Sequence, residues 1–137
     1  MEATLRFILV DDDLFALTLS EKLIRGYYAN TEIIIFSSAG EALKFIIGEY
    51  NLVKNILPTI LLTDLHMPEI DGLALLDSIE KMDDAIMGHL HAFVLSAAAC
   101  PREIKKVLSH KRVKGFYNKP LSIEKIEQII KHIQYPD

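Results

Sequence analysis

Short apolar runs alternate along this chain with longer segments whose apolar residues recur three or four positions apart. The first pattern marks strands buried on both faces, the second amphipathic helices. The predicted strands are residues 5–10, 33–36, 60–63, 92–95 and 115–117. Between them the spacing predicts helices over 14–25, from Ser37 or Ser38 to Gly48, over 73–82, over 101–109, and from Ser122 to about Ile133. Residues 49–58 carry apolar positions (Leu52, Val53, Ile56, Leu57) without a clear period and are left open, as an extension of the second helix or a long connection. Residues 83–91 read as loop. Strands that alternate regularly with helices argue for a parallel sheet with right-handed crossovers, covered by helices on both sides.

The helix ends carry their own signals. Asp13 is a cap for the first helix, with Phe15, Leu19 and Leu23 four apart as its core face and Gly26 as its stop. Ser38 with Glu41 three residues later is a capping-box pattern. Pro101 suits the first turn of the fourth helix, whose inward residues are Ile104, Val107 and Leu108. Ser122 caps the last helix. Its stripe is Ile123, Ile126, Ile129, Ile130 and Ile133, with Glu124, Lys125 and Lys131 outside.

Composition narrows this picture only slightly. The chain has 137 residues, half of them apolar and a quarter charged, which suits a single soluble domain over 1–137. No apolar run approaches the roughly 20 residues of a membrane span, and the N-terminus lacks a signal-peptide pattern. With a single cysteine, Cys100, no intrachain disulfide is possible, so the expected home is the cytoplasm. Cys100 itself reads as a small packing residue. Charge adds an asymmetry: residues 102–131 hold nine Lys/Arg against three Asp/Glu, while residues 1–101 hold six against fifteen. The basic third reads as a solvated helix face first, and as a docking face for an acidic partner second.

The chemistry collects at strand ends. Asp11, Asp12 and Asp13 follow the first strand, Asp64 follows the third, Ser96 the fourth, and Lys119-Pro120 the fifth. Open α/β sheets place their sites at the carboxyl edge of the strands. Neither G-x-G-x-x-G nor G-x-x-x-x-G-K-[ST] occurs, which argues against dinucleotide and P-loop sites. Carboxylates held together repel, and a hard divalent cation such as Mg2+ is the usual remedy. A lysine ammonium and a serine hydroxyl suit phosphoryl oxygens. The set fits a carboxylate that receives a phosphoryl group. Asp13 is expected to cap rather than bind metal. His89 and His91 alternate but lack a third ligand for a metal site.

The pieces V-D-D-D, L-L-T-D-L-H-M-P-E-I-D-G, V-L-S-A and K-G-F-Y-N-K-P stand in order at the ends of strands one, three, four and five. Together they resemble the receiver (CheY-like) domain of two-component response regulators, of the stand-alone type, over about residues 5–133. The resemblance implies a flavodoxin-like, doubly wound five-stranded parallel sheet of order 2-1-3-4-5 with five helices. It implies that Asp64 is the phosphoacceptor. Mg2+ would be held by Asp11, Asp12, Asp64 and the backbone carbonyl of His66, with Asp12 a direct ligand. Ser96 would be the switch hydroxyl, Lys119 the phosphoryl contact beside a cis Lys119-Pro120 bond, and Phe116 the switch aromatic. The implied donor is a sensor histidine kinase or a histidine phosphotransfer protein. Phosphorylation would switch the face formed by helix four, strand five and helix five.

Other function classes fit less well. A phosphohydrolase with an aspartate nucleophile resembles this arrangement but carries a second Asp two residues on, where His66 stands here. A phosphorylation-independent interaction module is disfavoured because no acid, hydroxyl or lysine is missing. No nucleic-acid recognition motif appears.

Overall fold

Among the described residues, five strands and five helices alternate along the chain. The computed structural model describes residues 4–52, 57–83 and 89–134. The elements are β1 (Leu5–Val10), α1 (Leu14–Tyr27), β2 (Thr31–Phe36), α2 (Ala39–Leu52), β3 (Thr59–Thr63), α3 (Gly72–Glu80), β4 (Leu90–Ser96), α4 (Pro101–Leu108), β5 (Val113–Asn118) and α5 (Ile123–Gln134). The strands form one parallel sheet of order β2-β1-β3-β4-β5, the expected flavodoxin-like arrangement.

Side chains alternate across the sheet and divide the core in two. Ile8, Val10, Leu61, Ala92 and Val94 pack against Ala42 and Ile46 of α2, Leu75 and Ile79 of α3, and Val107 of α4. Phe7, Leu9, Ile60, Leu62 and Phe93 pack against Leu17 and Ile24 of α1 and Ile126, Ile129 and Ile130 of α5. The middle strands therefore have no polar face, which is why they read as unbroken apolar runs.

Several caps form as expected. Asp13 Oδ1 accepts from the N–H groups of Phe15 and Ala16 at 3.0 and 3.3 Å, Ser38 Oγ accepts from Glu41, and Ser122 Oγ from Lys125. The core face of α1 differs from the expected one. Leu17, Ser20 and Ile24 are buried, while Phe15 is 78% exposed and Leu19 is exposed as well. A spacing of four drifts by about 40° per step on a helix of 3.6 residues per turn. Phe15 thus lies opposite Ile24, and only Leu23 reaches the edge of the core.

Gly26 does not stop α1, which runs on to Tyr27 and ends at an extended Tyr28. Helix α2 likewise passes through Gly48 to Leu52, so the open connection begins as helix; residues 53–56 lie outside the described residues, as do 84–88 of the expected loop. Leu108 and Ile123 are exposed, one at the rim of the short α4 and one in the first turn of α5. Cys100 is exposed at the N-cap of α4 rather than packed. Arg112, expected on the basic face, is buried and donates to the Met82 carbonyl at 3.0 Å.

A polar lock ties α3 to the loop after α4. His110 is buried, with Nδ1 near the carbonyls of Lys106 and Val107 and Nε2 2.6 Å from Asp77 Oδ1. Acceptors on both ring nitrogens favour the imidazolium. Burial alone would lower its pKa, but Asp77 and Glu80 raise it above the ordinary 6.5. A raised histidine contributes stability that is complete below the unfolded-state pKa and lost as pH rises through the folded one. His110→Ala should therefore destabilise the fold by about 1–3 kcal/mol at pH 6. The gap from wild type should narrow as pH climbs toward 9. Urea unfolding at several pH values checks this; a gap independent of pH rules out the imidazolium.

Candidate functional site

The site grows from ladder hydrogen bonds that continue one residue past the strands. Asp11 N–H donates to the Phe36 carbonyl at 3.1 Å, and Asp64 N–H donates to the Val10 carbonyl at 2.8 Å. Lys119 N–H donates to the Ser96 carbonyl at 2.9 Å. These bonds fix Asp11, Asp64 and Lys119 at the carboxyl edge while the chain is already leaving the sheet. Asp11 and Asp64 are buried, Lys119 is half-buried and Asp12 is exposed.

One ligand oxygen from each of Asp11, Asp12 and Asp64 lies within 4.8 Å of the others; among the described residues these three form the acidic cluster suited to a cation. Lys119 Nζ lies 2.7 Å from Asp11 Oδ2 and 3.3 Å from Asp64 Oδ2. Asp64 Oδ1 accepts from the Leu65 N–H at 2.8 Å, and Asp11 Oδ1 from the Asp13 N–H at 2.9 Å. Burial raises the Asp11 carboxyl above its ordinary range. Lys119 and the Asp13 N–H oppose that rise, and Asp64 adds to it. Burial works against the Lys119 ammonium too, but the paired carboxylates hold its proton and raise its pKa. Three carboxylates outnumber the one ammonium, and hard oxygen donors gathered in this way fit Mg2+.

Ser96 is buried at the end of β4 and donates to the Ala98 carbonyl at 3.2 Å. It pairs with Asn118, and Phe116 pairs with Val94 two positions earlier, so Ser96 and Phe116 share the sheet face that carries α4. Phe116 is half-buried against that core. The Lys119-Pro120 peptide is cis, as expected.

Sequence reasoning gave no site role to Glu103 or Lys125, which stand at the rim. His66 Nε2 lies 2.7 Å from Glu103 Oε2, joining the loop after Asp64 to the first turn of α4. Glu103 also accepts from the Cys100 N–H, and its hydrogen bond with His66 lowers its pKa first, with the Cys100 N–H adding to the fall. Lys125 turns back from α5 toward the loop that carries Lys119. Asp71, inside the quoted motif, caps α3 through the Ala74 N–H at 2.8 Å. A Cys-Pro-x-Glu start was the available signal for Glu103; nothing local marks its partner 37 residues away.

The family model for the response regulator receiver domain matches residues 7–131. The chain belongs to the receiver family. Its receiver fold superposes on solved relatives over nearly all of both chains. A two-component response regulator from Cytophaga hutchinsonii matches with a TM-score of 0.84 at 22% identity, covering 97% of this chain and 98% of that one. A response regulator receiver protein from Dyadobacter fermentans gives 0.82 at 25% identity, covering 95% and 98%. The chemotaxis protein CheY4 of Vibrio cholerae gives 0.74 at 15% identity, covering 97% and 99%. No curated protein matches the chain. Receivers belong to two-component signalling and are phosphoacceptor switches rather than, in general, enzymes. This receiver has no described helix long and apolar enough to cross a membrane.

Proposed function

We propose that this receiver, a single domain over 1–137, accepts a phosphoryl group on Asp64 from a sensor histidine kinase or a histidine phosphotransfer protein in the cytoplasm. The observation that carries this reading is the Asp64 carboxylate, held between the Leu65 N–H and the Lys119 ammonium beside two further acids. A carboxylate oxygen of Asp64 forms the new O–P bond as the N–P bond of the donor's phosphohistidine breaks. Lys119 balances charge on the transferred group. Mg2+, held by Asp11, Asp12, Asp64 and the His66 carbonyl, would neutralise charge at the same place. Water then attacks the phosphorus, the aspartyl O–P bond breaks, and inorganic phosphate leaves as the carboxylate is slowly restored, with His66 and Glu103 at the mouth.

Incubation with Mg2+ and acetyl phosphate, followed by mass mapping, tests the reading. Label should appear on Asp64, vanish with a chelator, and fall strongly in Asp12→Ala. Label elsewhere, or full labelling in chelator, would overturn it.

The switch runs through Ser96 and Phe116. The Ser96 hydroxyl leaves the Ala98 carbonyl for a phosphoryl oxygen, and Phe116 turns further inward beside β4. The shared sheet face and the half-buried ring support this. The change reaches a surface where Arg102, Lys105, Lys106, Lys111 and Lys114 are exposed. It is a two-state shift biased by contacts to the phosphate. Beryllofluoride should perturb amide spectra at Phe116 and over residues 98–115 more than in α1, and Ser96→Ala should shrink that distal response. An undiminished response in Ser96→Ala would exclude the hydroxyl from the switch.

A further inference from the structure

The loop between β5 and α5 has to present the Lys119 ammonium to Asp11 and Asp64, yet it is short of rigid support. Its first residue, Lys119, is tied to Ser96 by one backbone bond, and its apolar anchor is the buried Leu121. Asn118 and Pro120, on either side of Lys119, are both exposed. One side chain takes the carbonyls of both. Lys125 Nζ donates to the Asn118 carbonyl at 2.5 Å and to the Pro120 carbonyl at 2.8 Å.

We infer that Lys125 is a positioning residue for phosphoryl transfer: its ammonium clamps the two carbonyls that flank Lys119 and so holds the Lys119 side chain on the site. The inference rests on the proposed role of Lys119. It adds a residue outside the strand-end motifs. Lys125 sits in the first turn of α5, where its own N–H is bound by Ser122 Oγ, so its backbone is fixed and its stem reaches back over the loop. The ammonium is suited to this because it carries three donors and can serve two acceptors at once. Bonds to a charged donor are stronger than neutral ones. The carbonyls sit seven and five residues earlier in the chain, so the clamp closes the loop against its own following helix. Lys119 itself is occupied by the two carboxylates and cannot brace its own backbone.

Lys125→Met keeps the stem and removes the donors, whereas Lys125→Arg retains donors that can reach two carbonyls. Two readouts separate the clamp from the reading it rests on. The first is hydrogen exchange of the Lys119 amide in the unphosphorylated protein, where that amide is bonded to Ser96. Lys125→Met should speed this exchange by about five- to tenfold, the equivalent of losing one modest hydrogen bond, and Lys125→Arg should restore it. The second is the rate of labelling by acetyl phosphate with saturating Mg2+. That rate should fall by a similar factor in Lys125→Met, recover in Lys125→Arg, and show no further loss from Lys125→Met in a Lys119→Ala background. Wild-type exchange at Lys119 in Lys125→Met overturns the clamp. So does an equal labelling loss with and without Lys119. A wild-type protein that never labels Asp64 overturns the phosphoacceptor reading, and the exchange experiment still decides on the clamp.

Discussion

Asp64→Asn should abolish acid-labile, hydroxylamine-sensitive labelling and leave the fold intact. The amide side chain is nearly the same shape, and its Oδ1 can still accept from the Leu65 N–H as Asp64 does at 2.8 Å. What it loses is the anionic oxygen that would form the acyl phosphate. Lys119 keeps its closer partner, Asp11, at 2.7 Å against 3.3 Å for Asp64. Removing one of three clustered carboxylates also relieves repulsion. Labelling should therefore fall to background while urea stability stays within about 1 kcal/mol of wild type or rises. The pairing of those two results matters, because a mutant that merely unfolded would lose both. Equal labelling of the mutant would remove Asp64 from the acceptor role.

The fold was legible because both core layers draw on strands with no polar face. Such strands appear as apolar runs whatever the helices do, and turn residues mark where they end. The acids, Ser96 and Lys119 were legible for a related reason: Asp11, Asp64 and Lys119 sit one residue beyond a strand, where the ladder continues before the chain turns away, Asp12 follows Asp11, and Ser96 is the last residue of β4. Helix faces were harder to read. In α1 a spacing of four picked out Phe15, Leu19 and Leu23, but the helix turns under that row, and Leu17 and Ile24 take the core. Glycine misled in the same way. Gly26 and Gly48 sit inside helices, and no described glycine has positive φ, so neither has the left-handed conformation of a helix stop. Least legible were contacts that join distant segments through single side chains. His66 with Glu103 and His110 with Asp77 span more than thirty residues, and neither hydropathy nor local spacing encodes such a pair. Arg112 illustrates the same limit for charge. Counted in a basic stretch, it is spent inside the protein on the Met82 carbonyl.

Gly72→Ala should damage both the fold and the site, because Gly72 touches the acceptor's own backbone. It opens α3, is buried, and donates its N–H to the Leu65 carbonyl at 2.9 Å. A Cβ there would clash with the Asp64 carbonyl oxygen and stand 3.0 Å from Leu65 Cα and 3.1 Å from the Asp64 carbonyl carbon. All three are backbone atoms and none can rotate aside. The constraint is steric rather than conformational, since φ at Gly72 is not positive. Relief requires that α3 withdraw or that the Asp64–Leu65 peptide shift, and the second would move the acceptor carboxylate relative to Lys119. Overpacking of this kind costs about 1–3 kcal/mol. A displacement approaching 1 Å at the acceptor would slow labelling by up to about 100-fold. Gly48→Ala is the matched control. It also lies in a helix, but nothing stands within 4 Å of its Cβ position, so it should gain about 0.5–1 kcal/mol from helix propensity and label normally. Urea unfolding and acetyl phosphate labelling of the two variants, side by side, measure the contact. If Gly72→Ala matches wild type in both, the approach of α3 to the Asp64 carbonyl does not constrain the site.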